Sequence, residues 1–112
     1  MQLPNARSVV VEPAKLRDYL LSRFHHLGRF KAAFFEELGY ARDDWQRLAE
    51  DLKRIAETGD GVDRGHNGYD RMYVVGGRIT GPSGTQASVT TVWIVRDGEV
   101  SPRFVTAYPG SG

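Results

Sequence analysis

The chain has 112 residues, 40% hydrophobic and 26% charged, with a net charge of +1 and no cysteine. Those values fit one domain around a single core and exclude a disordered chain, a disulfide framework, a thiolate nucleophile and a cysteine-based zinc site. No apolar run approaches the roughly 20 residues of a membrane helix, and the start "MQLPNARSVVVEP" lacks the pattern of a signal peptide.

In chain order, "SVVV" (Ser8–Val11) is short and β-branched and predicts an extended lead-in or an edge strand. Pro13 stands where a first helical turn tolerates proline. The following "PAKLRDYLLSRF" places Leu16, Tyr19 and Leu20 at helical spacing, with an end near Ser22. A second helix is predicted from about Leu27 to Leu38, with Gly39 as its left-handed C-terminal residue. A third follows in "DDWQRLAEDLKRIAETG", where Trp45, Leu48, Ala49, Leu52, Ile55 and Ala56 form one stripe. Asp43 and Asp44 favour its start and Gly59 closes it. "DGVDRGHNGYD" reads as a long loop containing an exposed His66.

After Asp70 the period shortens to that of strands. "RMYVVGGRIT", "QASVTTVWIV" and "RFVTAY" are rich in β-branched and aromatic residues, joined by the turn-forming "GPSGT" and "DGEVSP". Gly76–Gly77 within the first of them predicts a bulge or bend. The predicted fold class is therefore α+β, N-terminal helices on one face of a C-terminal antiparallel sheet of three to four strands. It forms a single domain over 1–112, helical over about 13–58 and a β-meander over about 71–109.

Charge is divided along the chain. Residues 1–31 carry six Lys/Arg against two acids, 32–63 carry four against nine, and 64–112 carry five against three. Basic ends that meet in space would attract a polyanion; equally, the acidic middle is what the solvated face of one helix would look like.

Against this background Lys31 stands out. On a helical wheel it falls within the arc of Leu27, Phe30, Phe34, Phe35 and Leu38, with Arg29, Ala32 and Glu36 opposite. Desolvation and the helix dipole would both depress its pKa, suiting it to acid–base work or close phosphate contact. The alternative is a stem lying over the phenylalanines with the amine reaching water. Arg23, His25, His26, Arg29 and Lys31 make the densest cationic group in the chain, and histidine is the usual general acid or base near neutral pH. Adjacent histidines in a turn are also common surface residues.

On the strands, parity places Thr91 and Trp93 on one face and Val92 and Ile94 on the other. With Val92 and Ile94 assigned to the helices, Thr91 and Trp93 fall on the open face, joined there by Thr106 and Tyr108. Such a patch offers hydroxyls to phosphate and rings to bases; plain β-propensity accounts for the same residues. No Ser-His-Asp order, phosphate-binding loop or dinucleotide glycine signature is present. No metal site or cofactor is expected.

"LPNA", "KLRDYLL", "GRFKAAFFEELGY", "DWQRL", "TVW" and "VTAYP", in this order across nearly the whole chain, resemble a small bacterial domain-of-unknown-function family. Its members look like small standalone proteins or the C-terminal parts of larger ones, including predicted polymorphic toxins. Helices followed by a short antiparallel sheet also resemble the barnase, EndoU, colicin and RelE-type ribonuclease fold, by analogy of layout. The resemblance implies metal-independent RNA cleavage by a toxin-like domain, with His26, Lys31, Thr91 and Thr106 catalytic and His25, Arg29, Trp93, Arg103 and Tyr108 binding substrate. The implied partners are RNA, tRNA among the candidates, and a cognate antitoxin or immunity protein, with no membrane. The implied location is the cytoplasm, or delivery within a larger secreted polypeptide. The alternative is a non-enzymatic protein-binding module: an antitoxin, immunity protein or adaptor.

Overall fold

A computed structural model describes residues 1–22 and 29–110, with Arg29 and Phe30 described by backbone only. His25 and His26 lie outside the described residues. Short helices lead into a four-stranded antiparallel meander, the α+β arrangement expected. Helix α1 (Pro13–Lys15) runs on into a π-helical turn, Leu16–Leu20. Helix α2 spans Arg29–Glu37 and α3 spans Trp45–Thr58, the latter led in by a 3-10 turn at Arg42–Asp44. The strands are β1 (Asp60–His66), β2 (Asp70–Thr80), β3 (Gln86–Arg96) and β4 (Arg103–Pro109), in the order β1-β2-β3-β4. No described helix is long and apolar enough to cross a membrane.

β1 replaces the loop expected after Gly59. It is an edge strand with Gly61 as its one buried residue, so neither face needed the apolar alternation that identifies a strand. On the other edge, Val10 forms a parallel bridge with Arg103, so the N-terminal segment runs beside β4. The amides of Val10 and Phe104 donate to Pro102 and Val10 carbonyls at 2.8 and 2.9 Å.

One sheet face packs on the helices. It carries Tyr73, Val75 and Ile79 of β2, Val89, Thr91 and Trp93 of β3, and Phe104 and Ala107 of β4, all buried. The face assignment of β3 made from parity is therefore reversed: Thr91 and Trp93 are both 0% exposed. The physical reason is a paired solution to two polar groups. The Trp93 indole donates to Thr91 Oγ1 at 2.8 Å, and that hydroxyl donates to the Val75 carbonyl at 2.8 Å. With its N–H satisfied, the indole brings its whole apolar body into the core, edge-on to Phe104 at 5.4 Å. On β4 the register slips by one residue, since Val92 pairs with Thr106 and Trp93 with Phe104, leaving Val105 as the extra residue of a bulge.

Gly76–Gly77 makes no bulge: β2 pairs continuously with β3 from Asp70↔Arg96 to Thr80↔Gln86. A Cβ on Gly77 would sit 3.1 Å from Ile55 of α3, so this glycine permits close helix–sheet approach. A Cβ on Gly76 would meet nothing within 4 Å.

Helix α3 buries Leu48, Ala49, Leu52, Ile55 and Ala56, as its stripe predicts, together with Asp51. Asp51 is held by Tyr40 Oη, by Arg54 at 3.0 Å and by Arg47 at 3.4 Å. Asp44 makes no side-chain cap, so acidic placement near the helix start remains its contribution. In α2, Ala32 is buried beside Phe35 and Leu38 rather than turned to solvent, because the buried arc centres on Phe35.

The C-terminus of α2 is fastened to the β2–β3 turn. Ser83 donates to the Leu38 carbonyl through its amide at 3.1 Å and its hydroxyl at 2.9 Å. Gly39 takes the left-handed conformation expected, with φ of 97°. At Gly81 a Cβ would lie 2.0 Å from the Leu38 oxygen. Gly81→Ala must therefore push α2 off the sheet, and is expected to cost about 1–3 kcal/mol, the range for an overpacked site. Thermal unfolding against the parent checks it; an unchanged midpoint would contradict this account of how α2 is anchored.

Candidate functional site

Helix α2 directs Lys31 inward. At about 100° per residue it lies about 40° from Phe35, the centre of the buried arc. Its side chain is half-buried, and its ammonium donates to Tyr19 Oη at 2.8 Å and to Thr106 Oγ1 at 3.0 Å. Those two hydroxyls are also 3.0 Å apart, closing a triangle. The ammonium is 5.3 Å from the Tyr19 ring centroid. With Oη at 2.8 Å, it lies off the phenol end rather than over the ring face. No carboxylate pairs with it among the described residues. A half-buried cation with only neutral oxygen partners has charge left for an anion, which is the chemistry of a phosphate or carboxylate site.

The triangle perturbs Tyr19. Burial opposes the phenolate, but hydrogen bonds from Lys31 and Thr106, and the charges of Lys31 and Lys15, outweigh it and hold the phenol below its ordinary value of 10.0. Tyr40 moves the other way: burial, then its hydrogen bond to Asp51 and the Asp51 charge, push its phenol far up. For Tyr19 the folded pKa is depressed, so its contribution to stability is full above pH 10 and is lost as pH falls through the folded value. Tyrosinate absorbance during an alkaline titration is therefore expected to show an early step that Tyr19→Phe removes. An unaltered titration curve in that variant would refute the coupling to Lys31.

Of the residues singled out in the sequence, Lys31 and Thr106 meet. Thr106 belongs to the open-face row Val62–Val74–Val92–Thr106, at the β4 edge. Tyr108 lies one row along on the same face and is 38% exposed. Arg103 also faces that side, opposite Ile94, but its guanidinium is held by Glu99 at 3.1 Å and Glu12 at 3.0 Å. Thr91 and Trp93 lie in the core, away from this group. Arg29 begins α2 by its backbone, and His25 and His26 are outside the described residues.

Tyr19 was missed as a site residue. Its spacing with Leu16 and Leu20 reads as core, and its partners stand 12 and 87 positions along the chain. The available signal was a tyrosine, with its polar end, on an otherwise apolar arc. His66, expected in a flexible loop, ends β1; its Nε2 is 2.8 Å from Asp97, while the Gly68 amide donates to Nδ1 at 3.1 Å. The neutral ring thus carries its proton on Nε2. His66 lies on β1, the opposite edge strand of the sheet from the β4 that carries Thr106. Among the described residues no cluster of three or more His, Cys, Asp or Glu could hold a metal ion.

A family model for a domain of unknown function, DUF6883, matches residues 2–111. The chain belongs to this family. No curated protein matches it. A chain in the solved structure of a contact-dependent growth inhibition toxin–immunity protein complex from Klebsiella pneumoniae 342 is 26% identical, with a TM-score of 0.75, over 96% of this chain and 97% of that one. This DUF6883 domain is thus similar, over nearly its full length, to a component of a toxin–immunity complex.

Proposed function

We propose that this DUF6883 domain is a toxin-type ribonuclease whose centre is the Lys31–Tyr19–Thr106 triangle. The observation that carries the reading is the Lys31 ammonium, half-buried between two hydroxyls with no carboxylate partner among the described residues. Cleavage through the ribose 2′-hydroxyl needs a base, a cation at the pentacovalent phosphate and an acid for the leaving 5′-oxygen. Lys31 supplies the cation, and Thr106 a hydrogen bond to a phosphate oxygen. Tyr19, its proton loosened by Lys31, joins His25 and His26 as candidates for base and acid. No step needs a metal. Arg29, Arg103 and Tyr108 belong to the substrate surface, Arg103 after exchanging a carboxylate for phosphate. Thr91 and Trp93 act through the core that holds the sheet, without touching RNA.

The similarity to a component of a toxin–immunity complex agrees with a toxin that meets a cognate protein, and with delivery inside a larger secreted polypeptide. It agrees as well with an immunity or adaptor role, in which Lys31 would receive an acidic side chain of the partner. Purified protein incubated with total RNA and with tRNA in EDTA, beside a Lys31→Ala, His26→Ala double variant, separates the two. Cleavage by the parent alone is expected; intact RNA with both proteins would sink the ribonuclease reading.

A further inference from the structure

The glycine at position 76 has no role in the triangle, and α3 does not need it. Its missing side chain opens a depression of about 330 Å³ on the open sheet face. The floor is the backbone of Gly76 and Gly77, the walls are Val62 and Val74, and Arg64, Arg78, Ser88 and Asp60 stand around the rim. Thr90, paired with Gly76 and also lining the depression, is buried, whereas a Cβ at position 76 would meet nothing within 4 Å, so the chain itself leaves this valine-walled gap unfilled.

Charge identifies the occupant. Arg42, Arg47, Arg54, Arg71 and Arg103 all form ion pairs. Arg64 and Arg78 form none among the described residues, nor do Arg7, Arg17 and Arg96, but Arg64 and Arg78 line the same depression; Arg78 reaches the Gln86 amide oxygen at 3.4 Å. Asp60 is the carboxylate on this rim, outnumbered by the two guanidinium groups. Two guanidinium groups without an ion pair among the described residues, beside an apolar-walled backbone floor, fit a planar base with its phosphates: the guanidinium groups take phosphate and can stack on a base face. Register ties the depression to the proposed centre: Gly76 lies in the row Asp60–Gly76–Thr90–Tyr108, next to the row ending in Thr106. With strands about 4.8 Å apart and about 3.4 Å of rise per residue, Gly76 and Thr106 are roughly 12 Å apart, within the span of a dinucleotide.

We infer that this depression is a nucleotide subsite, seating one unpaired base of single-stranded RNA on Gly76 while Arg64 and Arg78 hold the flanking phosphates. The inference rests on the ribonuclease reading and adds that the substrate is unpaired beside the cleavage point. A base locked in a duplex cannot reach the floor, so strand separation is part of recognition.

The test is direct binding of a labelled, single-stranded 2′-O-methyl oligonucleotide, which lacks the attacking hydroxyl, measured beside cleavage of ordinary RNA by the parent. Gly76→Val, which fills the gap and so closes the floor to the base, is expected to weaken binding roughly tenfold. Arg64→Ala with Arg78→Ala is expected to weaken it further and to reduce the slope of log affinity on log salt by about 0.7 for each lost phosphate contact. The duplex of the same sequence is expected to bind no better than the filled variant. Parent-like affinity and salt slope in both variants would overturn the subsite while leaving the ribonuclease reading intact if the parent cleaves. No binding of the oligonucleotide by the parent would also overturn it and leave the face to a protein partner; cleavage then decides separately whether the ribonuclease reading survives.

Discussion

Lys31→Ala is expected to lower RNA cleavage by about 10²–10³-fold, the usual effect of removing one charge-stabilising donor from a reacting centre, while the protein stays folded. The stability side follows from the triangle. When the ammonium goes, Tyr19 and Thr106 still have each other at 3.0 Å, so no buried polar group is stranded. Alanine is also the best helix former for the vacated position in α2. The lost packing of the lysine stem is the main cost, about 1 kcal/mol, or a few degrees in melting temperature for a domain of this size. Steady-state cleavage and thermal unfolding on the same preparation check both halves. Parent-like cleavage by the variant would remove Lys31 from the chemistry. Loss of cleavage with a collapse in stability would make it a structural residue.

Trp93→Ala is expected to do the opposite, removing the fold rather than one function. Its indole is wholly buried, packs on Phe104 and is tied through Thr91 to β2. Truncating a core tryptophan costs about 3–5 kcal/mol, a large part of the roughly 5–15 kcal/mol that holds a domain together. Thr91→Val keeps the shape but strands the indole N–H, at about 1–3 kcal/mol. Denaturant unfolding of both variants is expected to rank them in that order, with activity lost only in proportion to the unfolded fraction. A Trp93→Ala protein with the parent's stability and no affinity for RNA would restore this residue as a base platform and contradict the core assignment.

The helices were legible because each buries one stripe. In α3 the stripe survives from Leu48 to Ala56, while Trp45 at its start is only half-buried, with the Arg17 guanidinium 5.9 Å from its ring; Asp51 is added because two arginines and Tyr40 satisfy it. β3 shows where patterning runs out. Val89, Thr91, Trp93 and Val95 alternate with Thr90, Val92 and Ile94, so both faces are apolar enough to be buried, and parity separates them without saying which is inside. The choice rests on tertiary packing: the helices cover the Thr91–Trp93 face, where the indole, the hydroxyl and the Val75 carbonyl of β2 satisfy one another. β1 was illegible for the converse reason, having almost nothing to bury. Lys31 was visible as an ammonium among aromatics, and Thr106 as a strand hydroxyl. That they meet over Tyr19 depends on the bulge at Val105 and on how α2 is anchored at Leu38, neither of which leaves a periodic trace.

The central claim is that this domain cuts RNA through the ribose 2′-hydroxyl at the Lys31 centre. Its most direct test compares a single-stranded RNA with the same sequence made of 2′-deoxy nucleotides, each incubated with the parent protein in EDTA. The account predicts that the RNA is cut, leaving 2′,3′-cyclic phosphate ends, and that the deoxy strand stays whole. Both strands left intact, or both cut alike, would contradict it.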